Sequence, residues 1–222
     1  MRRTLKPTPV ILQRLLILII FFIVPVIVTA PGLFAAGAGP GVRQVLIIGD
    51  SLTAGLGVMP EQAYPALIQE RLAASGRDGI KVINAGISGS TTAGAHARLK
   101  WYLRAKPHVL ILALGANDGL RGLSVREMEN NLDKAISLAK SAGMQVVIAG
   151  MEVPPNYGPE YAAGFRKVFP DLAQRHQIPL IPFLLEGVAG RPELNQADGI
   201  HPNPDGHEII AETVLPYILK SL

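Results

Sequence analysis

The 222-residue chain is 49% apolar and only 17% charged, which suits one sizeable domain with a short appendage. Four of its 21 basic residues lie in residues 1–38, which hold no acidic residue, so the remaining 17 basic and 17 acidic residues balance. The basic surplus therefore belongs to the N-terminal segment, and no Lys/Arg-rich patch indicates nucleic-acid binding. The absence of cysteine excludes disulfides, a thiol nucleophile and cysteine-ligated metal.

An N-terminal leader is the first predicted element. Four basic residues precede an apolar run at 15–28, and small residues follow with an A-x-A pattern at Ala36–Ala38. A basic start, an apolar core and a small-residue cleavage site are typical of a secretory signal peptide. We therefore predict a signal peptide at 1–38 and a single domain at 39–222.

The alternative for the same segment is an uncleaved membrane anchor. No charged residue occurs from Leu15 to Val42, and a membrane span needs about 20 mostly apolar residues. Pro25, Pro31 and the glycines argue against an anchor. The positive-inside rule sends the domain across the membrane in both cases. We expect a periplasmic or secreted domain or, in the alternative, one anchored to the inner membrane outside the cytoplasm.

Short apolar runs alternate with amphipathic stretches along the rest of the chain. The predicted strands are Val45–Ile48, Ile80–Asn84, Val109–Leu114, Gln145–Ala149 and Pro179–Pro182. The predicted helices are Tyr64–Ser75, Thr92–Arg104, Val125–Ala142, Pro159–His176 with a break near Pro170, and Pro204 to about Lys220. Several strands are apolar at consecutive positions, which indicates burial on both faces. This alternation predicts an α/β fold with a doubly wound parallel sheet, in which ligands bind outside the carboxyl ends of the strands.

Candidate catalytic residues follow the strands at that edge. Ser51 follows the first strand, Gly89 the second and Asn117 the third; Asp198 and His201 precede the last helix. Each alone is an ordinary turn, cap or surface residue. Together they supply the parts of acyl transfer, because a serine needs a base, histidine titrates in the right range, and a carboxylate fixes its tautomer. The N–H groups of Ser51 and Gly89 and the amide of Asn117 are candidate donors to a tetrahedral oxyanion.

Neighbouring polar residues compete for these roles. Asp50 adjoins the serine, and we expect it to bond loop amides rather than to act as the acid of a triad. Asp118 is expected to shape the loop that holds Asn117. His207 is the rival base, but it lies about one turn inside the last helix, and we expect it on a solvated face.

The proline-rich loop after the fourth strand contains Pro155, Asn156 and Tyr157. It is either a stiff connector or a substrate-binding wall of the acyl pocket, and the residues leave both interpretations open. The sequence has no Walker A motif and no G-x-G-x-x-G that opens a helix after a strand, and His207 lacks the second histidine of a zincin motif. We expect no metal and no cofactor.

Four sequence blocks lie in order along the domain: GDSL at 49–52, the loop glycine at 89, GAND at 115–118 and DGIHP at 198–202. They resemble the four blocks of the SGNH, or GDSL, hydrolases and occur in that family's order. The similarity spans roughly residues 44–220 and is closest to the small periplasmic thioesterase/lysophospholipase/arylesterase branch.

The resemblance implies a fold, a site and an activity. It implies Ser51 as nucleophile, His201 as base and Asp198 as the acid that orients the base. It implies an oxyanion hole formed by Ser51, Gly89 and Asn117. The implied fold is a three-layer α/β/α sandwich with a flavodoxin-like five-stranded parallel sheet.

We therefore expect an exported serine hydrolase of carboxylic esters, including aryl esters, acyl thioesters and lysophospholipids. It is expected to act as a monomer on a small-molecule or lipid ester, without nucleic acid, and to contact a membrane only through the N-terminal segment if that segment is uncleaved. The alternatives are a carbohydrate acetylesterase with a short acyl pocket and a catalytically inactive, membrane-tethered binding module.

Overall fold

A parallel five-stranded sheet organises the part of the chain that the structure describes. The computed structural model describes residues 41–222, so the predicted leader at 1–38 lies outside the described residues. The strands are β1 (Arg43–Gly49), β2 (Ile80–Gly86), β3 (Val109–Ala113), β4 (Gln145–Ala149) and β5 (Leu180–Ile181). Their order is β2-β1-β3-β4-β5, and every neighbouring pair is parallel. The flavodoxin-like sheet predicted from the sequence is confirmed.

Helices cover this sheet as two further layers. The helices are α1 (Ser51–Ala54), α2 (Tyr64–Ala74), α3 (Ala95–Tyr102), α4 (Ala116–Leu120), α5 (Val125–Ser141), α6 (Pro159–His176) and α7 (Pro204–Ser221). α2 packs against α7, and α5 packs against both α3 and α6. Side-chain caps begin α5 and α7: Ser124 Oγ accepts from Glu127 N at 3.3 Å, and Asn203 Oδ1 accepts from Gly206 N at 3.0 Å.

The central strands form the middle of the core. Val45–Ile48 in β1 and Val109–Leu112 in β3 are completely buried. Both strands lie between helical layers, so their side chains are buried on either face of the sheet. This explains why their sequences are apolar at consecutive positions instead of alternating.

The predicted break at Pro170 is wrong, because α6 runs without interruption from Pro159 to His176. A proline inside a helix removes one backbone hydrogen bond and costs about 3 kcal/mol. Phe165, Phe169 and Leu172 on this helix are fully or almost fully buried. Their burial stabilises the helical conformation by about 2 kcal/mol per side chain, which exceeds the cost of the proline.

Two short helices were predicted only as turns. One residue, Asp50, separates β1 from α1, and two residues separate β3 from α4. Each helix therefore starts at the carboxyl edge of the sheet, after an interior strand. The close approach of α1 to β2 requires a glycine, because a Cβ on Gly86 would lie 2.3 Å from Ala54 N.

Candidate active site

Ser51 is held at the start of a one-turn helix. Asp50 caps this helix, since its Oδ1 accepts a hydrogen bond from Leu52 N at 3.1 Å. Gly55 ends the helix in the left-handed conformation with φ of +76°, which glycine adopts without strain. Ser51 is 9% exposed, so most of the residue is shielded from bulk water.

His201 lies between Ser51 and Asp198. Its Nε2 is 2.9 Å from Ser51 Oγ, and its Nδ1 is 2.6 Å from Asp198 Oδ2. Asp198 fixes the loop as well as the imidazole, because its Oδ1 accepts from the backbone N–H groups of Ile200 and His201, each at 3.0 Å. The turn between the two residues uses Gly199 at φ of +74°. The structure thus brings all three predicted residues into one hydrogen-bonded chain.

The hydrogen bonds to Asp198 favour its ionised form. The His201 side chain, followed by the N–H groups of His201 and Ile200, lowers the pKa of this carboxyl from 3.8 to about 2. Asp198 is therefore a carboxylate at any pH near neutrality. A carboxylate at Nδ1 keeps the proton on that nitrogen and leaves Nε2 free to accept the proton of Ser51.

Gly89 lies in a tight turn after β2. Ser90 N donates to Ile87 O at 3.1 Å, and Gly89 occupies the third position of this turn with φ of +76°. A type II turn requires a positive φ at its third position, and glycine adopts this conformation without strain. Arg121, at the end of α4, donates to Gly89 O at 2.8 Å and joins this turn to the loop that follows β3.

Asn117 lies in the first turn of α4. It lines the same cavity as Ser51 and His201, whereas Gly89 is outside the residues that line it. Asp118 is buried and points away from that cavity, because Thr92 donates to both of its carboxyl oxygens, from N at 2.9 Å and from Oγ1 at 2.7 Å. These two bonds fasten α4 to the segment that follows β2.

Asp50 is a buried carboxyl with one oxygen left unpaired. It is 1% exposed, and within residues 41–222 its Oδ2 has no hydrogen-bond partner. Burial raises its pKa from 3.8 to about 6, although the amide of Leu52 and the side chain of Asn117 oppose the shift. We predicted from the sequence that Asp50 bonds backbone amides of the turn, and the hydrogen bond from Leu52 N is of this kind.

We predicted His207 on a solvated face of the last helix. In the structure it is only 1% exposed. Its Nδ1 accepts from Tyr64 N at 3.3 Å, and its ring stacks on the Tyr64 ring at a centroid distance of 6.3 Å. The prediction was wrong because α7 packs this face against α2. Burial, aided by the nearby His201, lowers the pKa of His207 from 6.5 to about 4, so this histidine is neutral at pH 7.

The proline-rich loop contacts α4. Tyr157 OH donates to Leu120 O at 2.7 Å, Asn156 is exposed, and Pro155–Tyr157 forms a single 3₁₀ turn. The residues of this loop that line the cavity are Val153 and Pro154. The start of the loop therefore borders the cavity, and Tyr157 near its other end bonds the last residue of α4.

A largely apolar cavity of about 620 Å³ opens beside Ser51, His201 and Asn117. A volume of roughly 300–1,000 Å³ is typical of pockets that enclose a small organic ligand. Its apolar wall comes from several segments, through Leu120, Met151, Val153, Phe183, Leu185 and Ile200. A cavity with an apolar wall and a serine in its lining has the shape and chemistry to hold the acyl chain of an ester.

Comparison with known proteins identifies the family. The sequence profile of the GDSL-like lipase/acylhydrolase family matches residues 47–209. The chain belongs to that family. It is 40% identical to an arylesterase of Vibrio mimicus, over 94% of this chain and 99% of the relative. It is 37% identical to thioesterase 1/protease 1/lysophospholipase L1 of Escherichia coli K12, over 76% of this chain and 79% of the relative.

A solved structure of the family agrees with the fold. The crystal structure of TesA superimposes with a TM-score of 0.78 at 41% identity, over 81% of this chain and all of that one. The family and these relatives make the protein a carboxylic ester hydrolase, as the sequence predicted.

Sequence reasoning missed residues of this GDSL-family site that act through hydrogen bonds. Arg98 of α3 donates to Gly49 O, Ala85 O and Ser90 Oγ, which belong to three segments around the site. No motif singles out an arginine in an amphipathic helix, so its role was not readable from the sequence. The apolar wall of the cavity was missed as well, because its residues come from loops that are distant in sequence.

Two negative findings apply to residues 41–222. In that part of the chain no three His, Cys, Asp or Glu side chains converge as they would around a metal ion. No helix there has both the length and the apolar character that a membrane span demands.

Proposed function

We propose that this GDSL-family hydrolase uses Ser51 as nucleophile, His201 as general base and Asp198 as the acid that orients His201. The hydrogen-bonded chain from Ser51 Oγ through His201 to Asp198, with distances of 2.9 and 2.6 Å, carries the proposal. A serine hydroxyl becomes nucleophilic when a base within hydrogen-bond reach removes its proton.

The reaction proceeds through an acyl-enzyme. Ser51 Oγ attacks the acyl carbonyl while its proton passes to His201 Nε2, and the imidazolium that forms is stabilised by Asp198. His201 then protonates the leaving alcohol or thiol as the tetrahedral intermediate collapses. Water, deprotonated by the same Nε2, attacks the acyl-enzyme and releases the carboxylic acid.

The oxyanion is stabilised by three donors that belong to three segments of the chain: Ser51 N–H, Gly89 N–H and the Asn117 side-chain amide. Two features support this set. Ser51 and Asn117 line one cavity, and Arg121 bonds the turn of Gly89 to the end of the helix that carries Asn117. Donors held in place before the reaction stabilise developing charge without reorganisation.

The substrates are small-molecule esters and thioesters with a medium or long acyl chain. The cavity is apolar and, at about 620 Å³, larger than an acetyl group requires. Relatives named arylesterase and thioesterase/lysophospholipase support aryl esters, acyl thioesters and lysophospholipids as candidate substrates. The reaction needs no cofactor, and we propose that the protein acts as a monomer.

Export is a separate part of the proposal. The basic start, the apolar run at 15–28 and the small residues at Ala36–Ala38 support a leader that carries the domain out of the cytoplasm. Expression of the full chain in a Gram-negative host, followed by N-terminal sequencing of the periplasmic protein, tests this. A mature protein that begins near residue 39 supports cleavage, and an intact N-terminus in the membrane fraction supports the anchor.

The catalytic assignment is tested by kinetics on p-nitrophenyl esters. Ser51→Ala is expected to lower kcat by about 10⁴-fold or more. Ser141→Ala is the matched control, because within residues 41–222 its exposed hydroxyl bonds only Leu138 O of its own helix, and it is expected to retain wild-type activity. Wild-type activity in Ser51→Ala would refute the assignment.

The substrate proposal is tested with the same esters in a series from acetate to laurate. We expect kcat/KM to rise from acetate toward medium-length chains. Activity confined to acetate would contradict the proposal and favour a carbohydrate acetylesterase. Absence of turnover on every ester and thioester would favour the inactive binding module.

A further inference from the structure

Arg98 donates hydrogen bonds to three segments whose relative positions matter for the proposed reaction. Its Nη1 donates to Gly49 O at 2.6 Å and to Ala85 O at 3.0 Å, and its Nη2 donates to Ser90 Oγ at 2.5 Å. Gly49 is the last residue of β1 before Asp50 and Ser51, and Ala85 is the penultimate residue of β2. One guanidinium therefore bonds the end of β1, which precedes Ser51, and the end of β2, which precedes Gly89.

The third bond reaches the turn of Gly89. Ser90 closes that turn through its N–H, which donates to Ile87 O at 3.1 Å. Ile87 N donates to Gly49 O at 3.2 Å, so the first residue of the turn and Arg98 share one acceptor on β1. Both ends of the turn are thereby fixed relative to the residue that precedes Asp50 and the nucleophile.

The environment of Arg98 strengthens this arrangement. The side chain is partly buried, and burial lowers its pKa, so its bonds are less exposed to competition from water than those of a surface arginine. A guanidinium has several donors in a rigid fork and can hold acceptors on different segments, whereas a lysine ammonium is a single point on a flexible stem. Substitution of Arg98 by lysine is therefore not conservative at this position.

We infer that Arg98 is a positioning residue of the oxyanion hole, which fixes the Gly89 N–H relative to Ser51 by bonding Gly49, Ala85 and Ser90 together. This inference rests on the proposed function, because it takes Gly89 N–H as a donor to the oxyanion. Such a residue acts in the transition state, where charge develops on the carbonyl oxygen, and contributes little to binding of the ground-state ester.

The test separates the transition state from the ground state. Arg98→Ala and Arg98→Lys are assayed for kcat and KM on p-nitrophenyl butyrate and for binding of an alkyl boronic acid, which forms a tetrahedral adduct with a serine hydroxyl. We expect Arg98→Ala to lower kcat by about tenfold and to weaken boronic acid binding by about tenfold. This loss in kcat is smaller than the roughly 100-fold loss expected when an oxyanion-hole donor itself is removed. KM should stay within about twofold of the wild-type value. Arg98→Lys is expected to recover less than half of the lost kcat.

Arg104→Ala is the matched control, because it removes the same charge next to the same helix, and the Arg104 side chain contacts Trp101 rather than a strand end or the turn of Gly89. Its kcat is expected to equal that of the wild type. If Arg98→Ala fails to fold, Ser90→Ala decides, since it removes only the bond to the turn. A fall in kcat of about threefold at constant KM then supports the inference, and an unchanged kcat overturns it.

The outcomes distinguish this inference from the proposed function. Wild-type kcat and boronic acid affinity in a folded Arg98→Ala protein, together with an inactive Ser51→Ala, would overturn the role of Arg98 and leave the triad intact. Activity in Ser51→Ala would remove the proposed function itself.

Discussion

The buried His207 should make the protein sensitive to mild acid. In the unfolded chain this histidine titrates near its ordinary value of 6.5, whereas burial lowers its pKa to about 4 in the folded protein. Between these values the folded state binds fewer protons than the unfolded state, so the free energy of unfolding falls as the pH is lowered. The stability contributed by the neutral imidazole is complete above 6.5 and is lost as the pH falls toward 4.

The size of this effect follows from the two pKa values. Each unit of pH over which only the unfolded state is protonated costs about 1.4 kcal/mol. Between pH 7 and pH 5 the histidine therefore lowers the free energy of unfolding by about 2 kcal/mol. This is a measurable fraction of the roughly 5–15 kcal/mol that stabilises a typical domain.

Urea unfolding of wild type and His207→Asn at pH 7 and pH 5 measures this effect. The variant loses packing at both pH values, but it has no imidazole to protonate, so its stability should fall by about 2 kcal/mol less than that of the wild type. His96→Asn is the control, because His96 is exposed, and its pH dependence should match the wild type. Equal pH dependence in His207→Asn and wild type would refute the reasoning.

Three further predictions concern the site and its support. Burial raises the pKa of Asp50 from 3.8 to about 6, so the folded state binds more protons between these values and stability falls as the pH rises. Relative to wild type, Asp50→Asn should gain about 1 kcal/mol in urea unfolding from pH 5 to pH 7, opposite in sign to His207. Gly86→Ala should lose about 1–3 kcal/mol in thermal unfolding, because its Cβ would lie 2.3 Å from Ala54 N. Gly164→Ala should be neutral or stabilising, because a Cβ there would meet no other segment of residues 41–222 within 4 Å. Asn117→Ala should lower kcat about 100- to 1,000-fold at nearly constant KM for p-nitrophenyl esters.

Each of these has an outcome that contradicts it. Asp50→Asn with the pH dependence of the wild type would show that Asp50 is not a buried titrating group. Equal melting temperatures for Gly86→Ala and Gly164→Ala would show that α1 can move away from β2. A higher KM at unchanged kcat in Asn117→Ala would place this amide in ground-state binding.

The sheet was predictable because the signals that define it are local. Consecutive apolar residues at Val45–Ile48 and Val109–Leu112 indicated strands buried on both faces, and the structure has them completely buried. Helix boundaries marked by a cap, as at Ser124 and Asn203, were predicted to within one residue at their starts. The break at Pro170 failed because packing of α6 outweighs the local effect of a proline.

The parts of the site differ in how far the sequence reveals them. Ser51, Asp198 and His201 lie in short blocks at the ends of elements, so sequence pattern was enough to single them out, and the structure brings them together. The burial of His207 depends on which face of α7 meets α2, and the bonds of Arg98 join residues up to 49 positions apart. Contacts of this kind arise from tertiary packing and leave no local pattern.

Covalent labelling of the purified protein tests the central claim most directly. A fluorophosphonate reacts with a serine only when a base activates that serine, and peptide mass spectrometry identifies the residue that carries the adduct. We predict a single adduct on Ser51, absent in Ser51→Ala and strongly slowed in His201→Ala. An adduct on another residue, or no adduct in a preparation that hydrolyses esters, would contradict the account.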